Sequence, residues 1–398
     1  MYRDGFKTYT IKTLNNIDKS ALDIINNENF ILNNESEEPD AIIVRSFNMH
    51  GMHFNNNLKA IARAGAGVNN IPVDQCTEHG IAVFNTPGAN ANAVKELVIA
   101  ALIASSRNLF AGVEWVKSLA GRDVPVKEMV ETGKKQFVGR EIKGKTLGVI
   151  GLGSIGTLVA NDALLLGMHV IGYDPFISVD AAWNMSREVQ RANSIEELFS
   201  ISDYISIHVP LTDQTRGILN KENFKYLKRG VQILNFSRGE LVNEDDMCAA
   251  LESGLVSKYI TDFPNEKIMK MKNTVSIPHL GASTKESEQN CAVMAARQIK
   301  EYLNTGNVCN SVNFPEMNLP YTGKRRIAIF HKNVPNMVKE LTTVISTYDL
   351  NIADMMNRSK GIYAYTLIDI DQNLDNKTFA GLKQGINRIK GIITNRII

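Results

Sequence analysis

Residues 146–174 read TLGVIGLGSIGTLVANDALLLGMHVIGYD, and this stretch decides the fold. Thr146 to Ile150 is a short apolar run of strand type, broken by Gly151-Leu-Gly153-Ser-Ile-Gly156 and followed by a helical run from Thr157 to Leu166. A strand that turns through glycines into a helix leaves unpaired N–H groups at the helix N-terminus, where they attract an anion. The three glycines have separate tasks: Gly151 permits the tight turn, Gly153 lets backbone approach a pyrophosphate, and Gly156 lets helix and strand pack closely. The next strand ends at Asp174, about 20 residues on, where an acid meets the ribose hydroxyls of an adenine dinucleotide. Its charge repels a 2'-phosphate, so the reading is NAD.

On both sides of this motif, β-branched runs alternate with helical patterns from about Thr8 to Thr305, which predicts an α/β fold with parallel sheets. Strands are expected at Thr8 to Leu14, Ala41 to Ser46, Ala60 to Arg63 and Ile81 to Asn85. A long buried helix is expected from Ala91 to Leu109. A doubly wound run continues through His169 to Tyr173, Tyr204 to Val209, Val231 to Asn235, Lys258 to Thr261 and Val275 to Ile277. A final helix follows from Lys285 to Leu303. Asn313 to Gly323 holds Pro315, Pro320 and Gly323 without periodicity and reads as a linker. The tail beyond it has the order strand, helix, strand, strand, helix, strand of a ferredoxin-like βαββαβ domain and is expected to fold separately.

At 398 residues the chain exceeds what one core usually supports, so several domains are expected. A formal charge of +2 gives no footing for nucleic acid or an anionic membrane as partner. Cys76, Cys248, Cys291 and Cys309 lack CxxC spacing, which argues against a structural metal and suits reduced thiols. The amino-terminal residues lack an apolar signal core, and no stretch of about 18 apolar residues occurs, so a cytoplasmic protein is expected.

Three polar residues follow strand ends in the second half: Arg238, Glu266 and His279. Ligand crevices of open α/β sheets lie outside the carboxyl ends of the strands, so the three are expected to converge. A hydroxy acid needs a cation for its carboxylate, a base for its hydroxyl proton and a hydride acceptor. Arg238 offers a two-contact fork, His279 titrates near operating pH, and Glu266 is suited to orienting the ring.

GLGSIG, YDP at Tyr173 to Pro175, HVPLT at His208 to Thr212, NFSRGELV at Asn235 to Val242, DFPNE at Asp262 to Glu266 and PHLGAST at Pro278 to Thr284 together resemble the D-isomer-specific 2-hydroxyacid dehydrogenases. GAGVNNIPVD at Gly65 to Asp74 and NTPGANANAVKELVI at Asn85 to Ile99 resemble the phosphoglycerate branch of that family. The resemblance makes Arg238, Glu266 and His279 the catalytic set. It implies cofactor contacts at Ser154, Ile155, Asp174, His208, Val209, Pro210, Phe236, Ser237, Asp262, Gly281 and Ala282. It implies a discontinuous, flavodoxin-like substrate domain (1–90 and 283–316), a Rossmann domain (91–282), a linker (317–323) and an ACT regulatory domain (324–398), with the active site in the cleft between the first two. Arg45, Ser46, Arg63 and Asn90 match the substrate side for 3-phosphoglycerate, and His331, Asn333 and Asn351 match a serine effector site. The branch further implies a homo-oligomer, dimer or tetramer, and truncation after Asn313 is expected to leave an active but serine-insensitive core. Two other readings stay open: a dehydrogenase for an unphosphorylated D-2-hydroxy acid, and an NADH-sensing, corepressor-like protein. One departure stands out: where many ACT domains have Pro-Gly, this chain has Pro335-Asn336.

Overall fold

Five runs of alternating or fully apolar residues in the first 90 positions become a parallel sheet: β1 (Tyr9–Leu14), β2 (Phe30–Leu32), β3 (Ala41–Val44), β4 (Ala60–Arg63) and β5 (Ala82–Phe84). Its order is β2-β1-β3-β4-β5, the flavodoxin-like arrangement. The computed structural model describes residues 2–398 apart from 4–5, 26–28, 122–124, 324 and 373–374. The reading of the amino terminus and the domain start at 324 fall partly on residues outside that set. β2 was not expected, because Phe30-Ile-Leu32 is too short to show a period.

Residues 91–287 form one compact unit, and residues 1–90 with 288–398 form the other. The first of these is built on β6 (Thr146–Ile150), β7 (His169–Tyr173), β8 (Gln190–Arg191), β9 (Tyr204–Ile207), β10 (Val231–Asn235), β11 (Val256–Thr261) and β12 (Thr274–Ser276). All seven pair in parallel in the order β8-β7-β6-β9-β10-β11-β12, so every carboxyl end lies along one edge. The expected long helix stops at Ser106 and resumes at Leu109 after a 67° bend. Asn108 takes a left-handed conformation there, with φ 55°, which asparagine tolerates better than most side chains. Val94, Val98, Ala101 and Leu102 of the Ala91–Ser106 helix pack on Leu147 and Val149 of this sheet. Among the described residues no single helix is long and apolar enough to cross a membrane.

The tail forms β13 (Arg325–Lys332), β14 (Ile352–Lys360), β15 (Tyr363–Ile370) and β16 (Ile392–Ile397), an antiparallel sheet in the order β14-β15-β13-β16. Two helices, Met337–Ser346 and Asn376–Asn387, complete the βαββαβ pattern. Asn336 sits at φ 66° just before the first of them, so this asparagine does adopt the backbone angle for which glycine is the usual choice.

This sheet does not stand apart as the sequence suggested. Phe330 stacks on Phe314 with centroids 3.9 Å apart, and Tyr365 and Leu367 join a core shared with Tyr9, Phe84 and Tyr302. Residues 317–323 are not a free linker: Met317 pairs with Val308 through two backbone bonds, and the carbonyls of Leu319 and Pro320 accept from Arg326 at 2.9 Å each. Arg326 is fully buried. It meets Asp369 through two contacts of 2.6 and 2.8 Å and also donates to the Thr305 carbonyl at 2.9 Å. Removing the tail would expose this core, so an intact, active core after truncation is not what the packing favours.

Candidate active site

The glycine turn has the geometry its residues predict. Gly151 has φ +88°, and an added Cβ would meet the His208 carbonyl at 2.8 Å. A Cβ on Gly156 would lie 1.9 Å from the Gly151 oxygen, whereas one on Gly153 would meet nothing within 4 Å. The first and third glycines are therefore demanded by the protein's own backbone, and the second faces open space. The Ser154–Leu165 helix begins here without a side-chain cap, leaving the first-turn amides at Ser154 and Ile155 for an outside acceptor.

Asp174, at the end of β7, accepts from the Leu152 amide through Oδ2 and from the Phe176 amide through Oδ1, both at 2.8 Å. It thus braces the turn while keeping lone pairs for ribose hydroxyls. Replacing Asp174 with Ala is expected to weaken NADH binding by about 10- to 100-fold, the range for lost charge-assisted hydrogen bonds. A fluorescence titration checks this; unchanged NADH affinity removes Asp174 from the cofactor site.

Further along the same edge, β9 delivers His208, Val209 and Pro210. The His208 ring shares Nε2 with Ser206 Oγ at 2.8 Å, while its Nδ1 is buried without a partner. Burial pushes its pKa down to about 4, so the ring is neutral at physiological pH. β10 delivers Phe236, Ser237 and Arg238. Here a residue that was quoted only as part of a motif proves decisive: Asn235, wholly buried, donates to the Arg238 carbonyl at 2.8 Å and accepts from the Ser237 amide at 3.1 Å. Ser237 Oγ in turn donates to the Ile207 carbonyl at 2.7 Å. The signal was an amide side chain at the last position of an apolar strand, where an unpaired polar group would be costly.

Asp262 directly follows β11 and is buried, with Oδ2 accepting from the Gly281 amide at 3.3 Å and Oδ1 unpartnered among the described residues. Burial raises its pKa above the usual carboxylate value, while His279, the Gly281 amide and Arg238 act in the opposite direction. The edge therefore brings Arg238, Asp262 and His279 into one electrostatic neighbourhood. His279 is exposed, and its ring lies 4.8 Å from that of Phe263. Glu266 is not held against the His279 ring: it sits on an exposed turn and makes no hydrogen bond or ion pair among the described residues. Asn265 Oδ1 fixes that turn by accepting from the Lys267 and Ile268 amides at 3.0 and 2.9 Å. Ala282 follows Gly281 in the loop after His279.

These residues fit a dinucleotide. Gly153 and the helix amides suit a pyrophosphate, and the orphaned Asp262 Oδ1 suits a carboxamide donor. No group of three or more His, Cys, Asp or Glu suited to a metal occurs among the described residues.

In the other unit, Arg45 and Arg63 follow or end neighbouring strands β3 and β4, and Arg63 Nε donates to the Arg45 carbonyl at 3.1 Å. Arg45 is paired with Glu288 at 2.6 Å, a partner 243 positions away that no local pattern reveals. The Arg63 guanidinium lies over Gly65, where a Cβ would come within 2.5 Å of Nη1. The Ser46 amide donates to Asn15 Oδ1 at 3.0 Å, and Asn90 is half-buried at the end of the 87–90 turn.

The three expected effector residues are not brought together within one chain. His331 is buried, and its ring nitrogens lie 2.8 Å from the Lys332 carbonyl and from Thr366 Oγ1. Asn333 follows Lys332, which pairs with Tyr363, whereas Asn351 precedes Ile352, which pairs with Ile370. Tyr363 and Ile370 lie seven positions apart along β15, about 24 Å at the usual strand rise. Asn351 Nδ2 donates to Asp371 at 2.6 Å.

Residues 99–281 match the family model for the D-isomer specific 2-hydroxyacid dehydrogenase, NAD binding domain. The chain is 37% identical over 274 residues to a hydroxypyruvate reductase of Thermotoga maritima, covering 66% of this chain and 84% of that one. It is 30% identical over 369 residues to D-3-phosphoglycerate dehydrogenase 1 of Saccharomyces cerevisiae, covering 86% and 74%. Among solved structures, the NAD+-bound 3-phosphoglycerate dehydrogenase of Entamoeba histolytica superposes with a TM-score of 0.58 at 29% identity, covering 77% of this chain and 99% of that one. The chain spans about half the length of several other curated D-3-phosphoglycerate dehydrogenases it matches, 50%, 52% and 52% for three of them.

Proposed function

The chain belongs to the D-isomer specific 2-hydroxyacid dehydrogenase family, and from that premise we propose that it is an NAD-dependent D-3-phosphoglycerate dehydrogenase. In this reading 3-phosphoglycerate is oxidised at C2 to 3-phosphohydroxypyruvate in the first step of serine synthesis. The observation that supports the chemistry is that Arg238, Asp262 and His279 follow the neighbouring strands β10, β11 and β12 on the carboxyl edge that also holds the glycine cradle.

Arg238 holds the substrate carboxylate with its planar fork, positioned by the clasp of Asn235 on its carbonyl. His279 takes the hydroxyl proton as the C2–O bond gains carbonyl character, and returns it in the reverse reaction. Bound NAD supplies the acceptor for the C2 hydride. Glu266 serves His279 by turning from its exposed loop toward the ring and stabilising the imidazolium. Arg45, Arg63, Ser46 and Asn90 form the phosphate side, where the phosphate takes the place of Glu288 on Arg45.

A second reading has its own support. Glu288 already neutralises Arg45, and the similar Thermotoga maritima protein is named for an unphosphorylated oxo acid. Steady-state rates with 3-phosphoglycerate, glycerate and lactate decide between them. A kcat/KM for glycerate or lactate equal to or above that for 3-phosphoglycerate overturns the phosphate assignment.

The βαββαβ tail is proposed to be an ACT domain that binds serine, and the chain a cytoplasmic homo-oligomer. Because Asn333 and Asn351 lie at opposite ends of one sheet, the site is completed by a second copy paired antiparallel along the edge strand β14. Inhibition by serine that Asn351→Ala weakens supports this; calorimetry without serine binding, together with full activity at saturating serine, rejects it.

A further inference from the structure

The last strand, β16, is an edge strand, and its open side borders a cavity of about 730 Å³ that it shares with the first sheet and the Asn376–Asn387 helix. The size is that of a metabolite site. The wall carries Arg396, whose charge finds no carboxylate among the described residues. Its Nη1 donates to the Leu303 carbonyl at 3.2 Å, Nη2 donates to the Tyr302 carbonyl, and the guanidinium lies 4.2 Å from the centre of the Tyr302 ring. Nε–H is shielded from solvent and has no acceptor among the described residues.

The nearby acids are already engaged. Asp40 pairs with Lys59 at 2.6 Å and accepts from the Thr10 amide, and Glu38 accepts from Asn57 at 3.0 Å on the exposed rim. The phenols of Tyr302 and Tyr365 are pushed up by burial, so neither supplies a negative charge. Two further wall atoms are buried without partners among the described residues: Asn395 Oδ1 and Thr8 Oγ1, on residues each 7% exposed. Lys383 stands exposed at the mouth, without an ion-pair partner among the described residues.

A buried guanidinium with an idle donor on one face of this strand, and an idle Asn395 oxygen on the other, are costly in a closed core but suited to a guest that wraps the strand edge. We propose that this cavity binds a small organic carboxylate that also carries hydroxyl or ammonium donors. The carboxylate accepts from Arg396 Nε and faces Lys383, and the donors satisfy Asn395 Oδ1 and Thr8 Oγ1. The Ile398 amide and carbonyl both bond to Arg326, so strand alternation turns the backbone groups of Asn395 and Ile397 outward along the cavity. The guest thus lies along the strand edge and contacts both faces. This site is distinct from the one built around Arg238 and does not rest on the assignment of the reaction.

Calorimetry on the full-length protein with gluconate, glutamine, acetate and inorganic phosphate tests it. Gluconate or glutamine is expected to bind saturably and more tightly than acetate or phosphate. Arg396→Gln is expected to weaken binding by about 10- to 100-fold, as for loss of a hydrogen bond to a charged group. Thr8→Val, a milder change in the wall, is expected to weaken it severalfold and decides the matter if the arginine variant does not fold. Arg238→Lys should leave the affinity unchanged. Binding of none of the four compounds overturns the proposal. So does binding that survives both wall substitutions, or that is lost in Arg238→Lys.

Discussion

Replacing His279 with Ala is expected to lower turnover by about 100- to 10,000-fold, the usual contribution of a positioned acid or base. NADH affinity should change little, because the cradle that receives the dinucleotide is fixed by Gly151, Gly156 and Asp174, none of which depends on the imidazole. The ring is exposed and touches Phe263 without anchoring any backbone segment, so the unit should remain folded. The measurement is single-turnover oxidation with the best substrate, paired with NADH titration. A variant that keeps wild-type kcat removes His279 from proton transfer. One that loses NADH binding to the same degree as turnover makes it a structural residue instead.

The second large effect is on stability. All five guanidinium N–H groups of Arg326 have acceptors: Asp369 takes two, and the carbonyls of Thr305, Leu319 and Pro320 take the others. Asp369→Ala strands that charge in the core, a loss of about 3–5 kcal/mol. For a unit of about 200 residues, as the one holding this pair is, the melting temperature is expected to drop on the order of 10 °C. The double variant Arg326→Met with Asp369→Leu should recover only part of the loss, since three carbonyls remain without donors. If Asp369→Ala melts within a degree or so of wild type in a thermal scan, the ion pair does not hold the tail in place.

The parts of this molecule that are local in sequence were legible from it. The glycine turn could be read because each glycine answers a short-range demand, and the structure shows those demands as a φ of +88° at Gly151 and a 1.9 Å approach at Gly156. The carboxyl-end placement of Arg238 and His279 followed from the parallel sheet alone. What was not legible depends on long-range partners. Glu288 beside Arg45, and Phe330 on Phe314, leave no periodic trace, so the tail was read as independent when it in fact completes a shared core. For the effector residues the limit is a different one. Sequence proximity to motifs does not say which end of an antiparallel sheet each residue occupies, and pairing places Asn333 and Asn351 at opposite ends.

The chain leaves one unit after Asn90 and returns to it after Ser287, and this has a consequence for the order in which the molecule is made. During synthesis residues 91–287 emerge as an uninterrupted segment holding every strand of their own sheet, so this unit is able to close while translation continues. The first 90 residues have no such option. Tyr9 waits for the Leu303 carbonyl, Phe84 for Tyr302, and the shared core for Phe330 and Tyr365. Residues 1–90 therefore mature only after 288–398 have been made, and through the intervening synthesis their apolar strands depend on the nascent chain's surroundings to stay out of aggregates.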